Sequence, residues 1–126
     1  MILGIGTDLV EIPRIERSLA RFGDRFARRI LAESEYEEYL RHARPAAFLA
    51  KRFAAKEAFS KAMGTGLRYP VRLRHIIVGH DRFGKPKLQY SRELLPLVEA
   101  RVCRAHLTIT DERSIVCAFV VLESRS

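Results

Sequence analysis

The sequence has no tryptophan, only two cysteines and five prolines, and no apolar run near the roughly 20 residues that a membrane-spanning helix needs. Cys103 and Cys117 have neither a CxxC partner nor a histidine cluster beside them, which argues against a zinc site. They are expected to be reduced thiols, buried as ordinary packing residues. The first residues, MILGIGTDLVE, are apolar but lack a basic leading segment and meet acids at once. A signal peptide is therefore not expected, and the expected location is cytoplasmic with no membrane partner. Internal repeats, low-complexity tracts and linker-like stretches are also missing. At 126 residues with 48% hydrophobic content, the chain suits one domain over 1–126, built on a single core.

The last scarcity is of acid, and it is local. Residues 41–74 carry Arg41, Arg44, Lys51, Arg52, Lys56, Lys61, Arg68, Arg72 and Arg74 against Glu57 as the only acid. Elsewhere acids and bases cancel, so the whole formal excess of +8 lies in this segment. A positive field so concentrated suits an anionic ligand. Nucleic acid, a membrane surface, a phosphorylated small molecule and an acidic protein all qualify.

Patterning gives the fold class. Ile2 to Gly6 reads as a short buried strand, with Asp8 just after it. Pro13 fits the first turn of a helix over which Ile12, Ile15, Leu19 and Phe22 recur at helical spacing, and Gly23 stops it. A short helix after Asp24 is expected to bury Phe26 and Ile30. Ser34 and Glu37 have capping-box spacing before Tyr36, Tyr39 and Leu40. Pro45 opens a long helix that runs to about Met63, with Gly64 past its end. Then the chain turns β-like: His75 to Val78, a turn over 81–86, and a strand near 87–90. A helix over 92–102, capped by Ser91, follows; Pro96 must kink it or mark its first turn. A hairpin of Ala105–Thr110 with Ile115–Leu122 closes the chain. Helices come mostly first and strands mostly last, so the class is α+β, with a mainly antiparallel sheet.

The long helix carries the stretch RFAAKEAFSKAMGTG, residues 52–66. On a helical projection Phe48, Ala55, Phe59, Ala62 and Met63 share one arc, with Arg52 and Lys56 inside or beside it. Two bases four residues apart repel weakly and are tolerable if their stems pack and their heads reach an anion. Glu57 and Lys61 lie nearly opposite, in the favourable acid-then-base order of a surface ion pair. Gly64-Thr65-Gly66 permits close backbone approach and could offer N–H groups to phosphate, but it lacks the ending of a nucleotide-binding P-loop. Asp8, after a glycine-rich strand, is either a placed carboxylate or a turn residue. Arg14, Arg17 and Arg21 share one face of the first helix, and Arg25 and Arg28 continue the phase if Gly23 does not break it. Such a stripe is either a solvated face or a dock for an acidic helix.

GIGTDLVEIPRI (4–15) followed by RFAAKEAFSKAMGTG (52–66) closely resembles the holo-acyl-carrier-protein synthases of the 4′-phosphopantetheinyl transferase superfamily. FGKP (83–86), HLTITDE (106–112) and the final apolar strand extend the resemblance over essentially the whole chain. It implies transfer of the phosphopantetheine arm of coenzyme A to a serine of apo acyl carrier protein, with release of adenosine 3′,5′-bisphosphate, in support of fatty acid biosynthesis. It implies Mg²⁺, or Mn²⁺, held by Asp8 and Glu57, with Lys61 on a coenzyme phosphate and Glu57 and Lys61 as the catalytic pair. It further implies that Arg52, Gly64, Thr65, Gly66, Pro86 and His106 lie in or near the coenzyme pocket, and that this pocket forms between subunits of a homotrimer. Some members carry a second histidine where Asp111 stands here.

The implied chemistry suits the residues. Mg²⁺ takes hard oxygens and keeps waters and phosphates beside one or two carboxylates, so two acids suffice. Positioning and electrostatics carry most of the rate in phosphoryl transfer. The proton acceptor for the serine stays open among Glu57, a water on the metal and solvent. The Arg14, Arg21 and Arg25 stripe gains an acidic carrier protein as its expected partner. The rival readings are a basic nucleic-acid-binding domain, which would need only the +8 segment, and a coenzyme A-binding protein without catalysis. The absence of any nucleic-acid motif disfavours the first, and the presence of both Asp8 and Glu57 disfavours the second.

Overall fold

The computed structural model describes residues 1–125. Strand β1 (Ile2–Glu11) leads into helices α1 (Ile12–Phe22), α2 (Asp24–Ile30), α3 (Glu33–Leu40) and α4 (Pro45–Met63). A 3-10 turn at Leu73–His75, strands β2 (Ile76–His80) and β3 (Pro86–Tyr90), helix α5 (Leu95–Arg101) and strands β4 (Arg104–Glu112) and β5 (Ile115–Glu123) follow. The class is α+β, as the order of elements predicts. β5 is the centre of an antiparallel sheet of order β1–β5–β4, and β2–β3 form a separate antiparallel hairpin. No helix among the described residues is long and apolar enough to cross a membrane.

The core lies between α4 and one face of the sheet. Val10, Leu107, Val116, Ala118, Val120 and Leu122 point inward from the strands, and Ala54, Ala55, Ala58, Phe59 and Ala62 meet them. β1 sits unusually close. A Cβ on Gly4 would come within 1.9 Å of the Ala62 carbonyl oxygen, and one on Gly6 within 2.0 Å of that of Ala58. These glycines let the strand press on the backbone of an alanine-lined helix, and that contact sets the height of Asp8 against α4.

Several sequence expectations shift here. β1 does not stop at Gly6: its pairing with β5 runs through Glu11 opposite Ile115. Asp8 therefore sits within the strand, not after it, on the same face as Gly4, Gly6 and Val10. α3 begins two residues before the Ser34 box. Its N-cap is Ala32, whose N–H donates to Oε1 of Glu35 at 2.8 Å. Ser34 is exposed, because the acid that caps is the one drawn inward by bases on α4. Ile30 is buried as expected, whereas Phe26 is half-buried and Ala27 takes the core position. α5 starts at Leu95 with Pro96 in its first turn, and Ser91 caps the preceding turn by accepting the Leu94 N–H at 3.2 Å. Neither thiol is buried: Cys103 is exposed between α5 and β4, and Cys117 is half-buried on the sheet face turned away from α4.

Candidate active site

Asp8 and Lys61 meet where β1 crosses the last turn of α4. The Asp8 side chain is 16% exposed, and its Oδ1 accepts from Lys61 Nζ at 3.2 Å. The same ammonium donates to the Thr7 carbonyl at 3.0 Å. The lysine thus bridges to the strand rather than forming the expected isolated pair with Glu57 one turn back. Glu57 is close enough to feel both. Burial pushes its carboxyl above the usual range, and the Asp8 carboxylate pushes it further, while Lys61 and Arg14 pull it down. Two acids are held together with less cationic compensation than they need. That is a place for a cation with hard oxygen ligands, and the donor set fits Mg²⁺, which completes its shell with waters and phosphate oxygens. No group of three or more metal-ligating side chains occurs among the described residues, so a metal here would have this pair as its protein ligands.

The Gly64-Thr65-Gly66 turn sits beside Lys61. Gly64 and Gly66 both have positive φ, 76° and 60°, which explains the glycines. Their N–H groups donate to the carbonyls of Lys61 (3.0 Å) and Ser60 (3.3 Å) and cap α4. They are therefore turned into the helix end and do not stand ready for phosphate. The Thr65 hydroxyl donates to the Gly66 carbonyl at 2.9 Å.

Arg52 and Lys56 do reach an anion, and it is internal. Arg52 is 4% exposed and Lys56 fully buried. Lys56 Nζ donates to Glu35 Oε1 and to the Ile30 carbonyl, both at 2.6 Å. Arg52 donates to Glu35 Oε2 at 3.3 Å and to the Val78 carbonyl. The Val78 N–H also donates to Glu35 Oε2, at 3.0 Å. Burial lowers Lys56 to about 8 despite Glu35 beside it. One carboxylate therefore ties α3, α4 and β2 together, and the excess charge of residues 41–74 is not one open surface. Lys61 pairs with Asp8 and Lys51 with Asp111, at 3.8 Å.

Arg52 also lines a cavity of about 300 Å³ between α3, α4, the β2–β3 hairpin and β4. Pro86 lines it too, with Arg44, Phe48, Lys51 and His80. The sequence placed Phe48 beside Arg52 and put Arg44 and Lys51 in the basic segment but assigned none of these four to a pocket, although Arg44, Phe48, Lys51 and Arg52 recur at helical spacing as one face. His106 is not in this cavity. It points from the outer face of β4, where its Nε2 lies 2.6 Å from Glu123 Oε2, and shares a separate, more open pocket with Pro86. The expected coenzyme residues thus fall into separate places on one chain. Arg52 and Lys61 alone are roughly 14 Å apart along α4.

Arg14, Arg17 and Arg21 are exposed on α1; Gly23 ends that helix at φ 63°, so Arg25 is exposed on α2 but does not continue the same helical phase. Arg28 is engaged with Asp24 at 2.7 Å and lies over the Tyr36 ring. Arg25 continues into an open groove with Arg29, Arg72 and Arg74, over Leu67 and Leu73. Arg14 acts electrostatically on Glu57, so the stripe begins at the carboxylate pair.

A carboxylate pair with an ammonium against it, at the end of a basic, alanine-rich helix in this α+β frame, is an arrangement suited to phosphate-bearing substrates. Residues 4–120 match the 4′-phosphopantetheinyl transferase superfamily, and the chain belongs to it. It is 56% identical over 124 residues to a holo-[acyl-carrier-protein] synthase of Nitrosospira multiformis, spanning 98% of this chain and 99% of that protein. Its fold superposes on the crystal structure of the corresponding synthase from Neisseria meningitidis with a TM-score of 0.96, 48% identity and coverage of 98% and 100%. A Bacillus anthracis synthase in complex with CoA (3′,5′-ADP) gives a TM-score of 0.80 at 41% identity, with 98% of each chain covered.

Proposed function

We infer that the chain is a holo-acyl-carrier-protein synthase, one transferase domain over 1–126, acting in the cytoplasm in support of fatty acid biosynthesis. The serine hydroxyl of apo acyl carrier protein attacks the β-phosphorus of coenzyme A. A new P–O bond forms, the bond to the bridging oxygen breaks, and adenosine 3′,5′-bisphosphate leaves. The observation that carries this reading is the Asp8, Glu57 and Lys61 constellation on matching family motifs.

Asp8 and Glu57 would hold Mg²⁺, or Mn²⁺, which when bound neutralises charge on the diphosphate. Lys61 orients a phosphate from one turn beyond Glu57, anchored through the Thr7 carbonyl and Asp8. Glu57, its carboxyl raised by burial and by Asp8, lies beside the reacting phosphate, and the serine proton passes to it, to a water on the metal or to solvent. Arg52 and Pro86 belong to the coenzyme pocket beside α4, and the Gly64, Thr65 and Gly66 turn shapes the approach to Lys61. Arg14, Arg21 and Arg25 receive the acidic carrier protein. Arg14's influence on Glu57 supports delivery of the serine to the carboxylate pair.

A homotrimer explains why the expected residues are dispersed on one chain. The outer face of the sheet exposes Ile5, Leu9, Ile115 and Phe119, and His106 lies on that same face. An apolar sheet face of this kind is suited to another copy of the chain. His106 would then serve a pocket completed by a neighbour. The test is to mix the protein with apo acyl carrier protein, coenzyme A and Mg²⁺, with an EDTA control, and to take an intact mass of the carrier. A gain of one phosphopantetheine arm, lost with EDTA, is expected. No gain with several carriers and a folded protein would overturn the reading.

A further inference from the structure

Arg52 has two kinds of partner. Nη1 is held by Glu35 and by the Val78 carbonyl, and the guanidinium lies over the buried Phe48 ring, 4.4 Å from its centroid. These partners are all buried. Nη2 donates instead to Glu38 Oε2 at 3.3 Å, and the Glu38 side chain is 50% exposed. Glu38 lines the same cavity as Arg52, from α3. The charge count makes the difference matter. Glu35 serves both Arg52 and Lys56, so two buried cations share one buried anion. Glu38 supplies the missing negative charge from the cavity side.

We propose that Glu38 is a displaceable carboxylate that occupies the anion position of Arg52 in the empty pocket and yields it to a phosphate monoester of the coenzyme or of the bisphosphate product. The proposal rests on the reading of this cavity as the coenzyme pocket. The exchange is feasible because the two sides of the guanidinium are unequal. Glu35, Val78 and Phe48 keep Arg52 in place when Glu38 leaves, so the pocket does not collapse. A half-exposed ion pair is weak, whereas a phosphate on a pre-fixed guanidinium makes strong charge-assisted hydrogen bonds. Glu38 then returns as the product departs, keeping the cluster neutral and shortening the product's stay. The Lys51–Asp111 pair in the same cavity is longer, 3.8 Å, with both side chains about two-fifths exposed, and leaves Lys51 looser from the start.

The test is calorimetric titration of adenosine 3′,5′-bisphosphate into the wild-type protein and Glu38→Gln, with stopped-flow dissociation alongside. Glu37→Gln is the control: it removes the same charge one residue away, from an exposed position off the cavity. Glu38→Gln is expected to tighten binding about three- to fivefold, mostly through slower dissociation, while Glu37→Gln changes it little. In an Arg52→Lys background, binding weakens and Glu38→Gln gives no further gain. Equal tightening by both glutamine variants, or the same gain with Lys at position 52, would mean a general field effect and would overturn the proposal, as would unchanged binding by Glu38→Gln. Wild-type binding that is indifferent to Arg52→Lys would instead overturn the assignment of the pocket. If Arg52→Lys does not fold, the comparison of Glu38→Gln with Glu37→Gln decides alone.

Discussion

Asp8 and Glu57 are both carboxylates, but their surroundings divide them. Asp8 has Lys61 at hydrogen-bond distance; Glu57 has burial and a like charge against it. If both hold the metal as proposed, both are needed. Loss of groups that merely orient metal ligands costs about 10–100-fold, so Asp8→Ala and Glu57→Ala should each fall below about one hundredth of wild-type turnover with circular dichroism unchanged. Near-normal turnover in either would remove it from the metal site. The raised carboxyl of Glu57 also has a consequence for stability. A carboxyl whose pKa is higher folded than unfolded carries a penalty above the folded pKa, and the penalty vanishes below the unfolded value. Metal-free Glu57→Gln should therefore melt above wild type at neutral pH, and the gap should close as the pH falls below about 4. A gap that widened on acidification would reverse the assigned direction. Stability given up at a functional acid is a usual cost of activity.

At the scale of elements, β1 and α4 make the site by contact between backbones. Gly6→Ala would drive a Cβ into the Ala58 carbonyl at 2.0 Å, and the strand cannot move without taking Asp8 from Lys61. A loss on the order of 1–3 kcal/mol is expected in urea denaturation, together with weakened metal binding; an unperturbed variant would show that the strand can retreat freely. The buried cluster is the other junction. Lys56→Met leaves Glu35 short of a cation in the core, at a cost of about 3–5 kcal/mol, and the double variant with Glu35→Gln should recover part of it. Much of this was legible in the sequence. The helix spans of α1 and α4, the final hairpin and the positive-φ glycine after α4 all follow from spacing and turn chemistry. Glu35 was not, because nothing local separates it from Glu33 or Glu37; what selects it is the position of Arg52 and Lys56, seventeen and twenty-one residues on. Asp8's strand placement was hidden likewise, because pairing with β5 comes from the far end of the chain. The cavity beside α4 draws its walls from four distant segments, which no periodicity within one segment can report.

For the whole molecule, charge and apolar surface lie on different faces, and each face makes its own prediction. The arginines of α1 and α2 form the charged one. Reversing Arg14 and Arg21 to Glu should weaken carrier-protein binding by tenfold or more, on the order of 1.4 kcal/mol, and flatten its salt dependence, with coenzyme affinity little changed. Unchanged carrier affinity would move the dock elsewhere. The sheet is the apolar face. Phe119 stands between Thr7 and Thr108 in register, with Leu9 beside Cys117 on the next row, and all point away from α4. A charge placed there meets no core atom in the isolated chain, so Phe119→Glu with Leu9→Glu should leave the fold intact by circular dichroism. In a trimer packed through this face the same charges would be buried without partners, which assembly cannot tolerate. Light scattering should then give a mass near that of one 14.5 kDa chain where wild type gives about three times as much, and turnover should disappear with assembly, because the His106 pocket would lose the neighbour that completes it. A variant that stays trimeric would take the interface off this sheet, and a monomer that keeps full turnover would show that one chain holds a complete site.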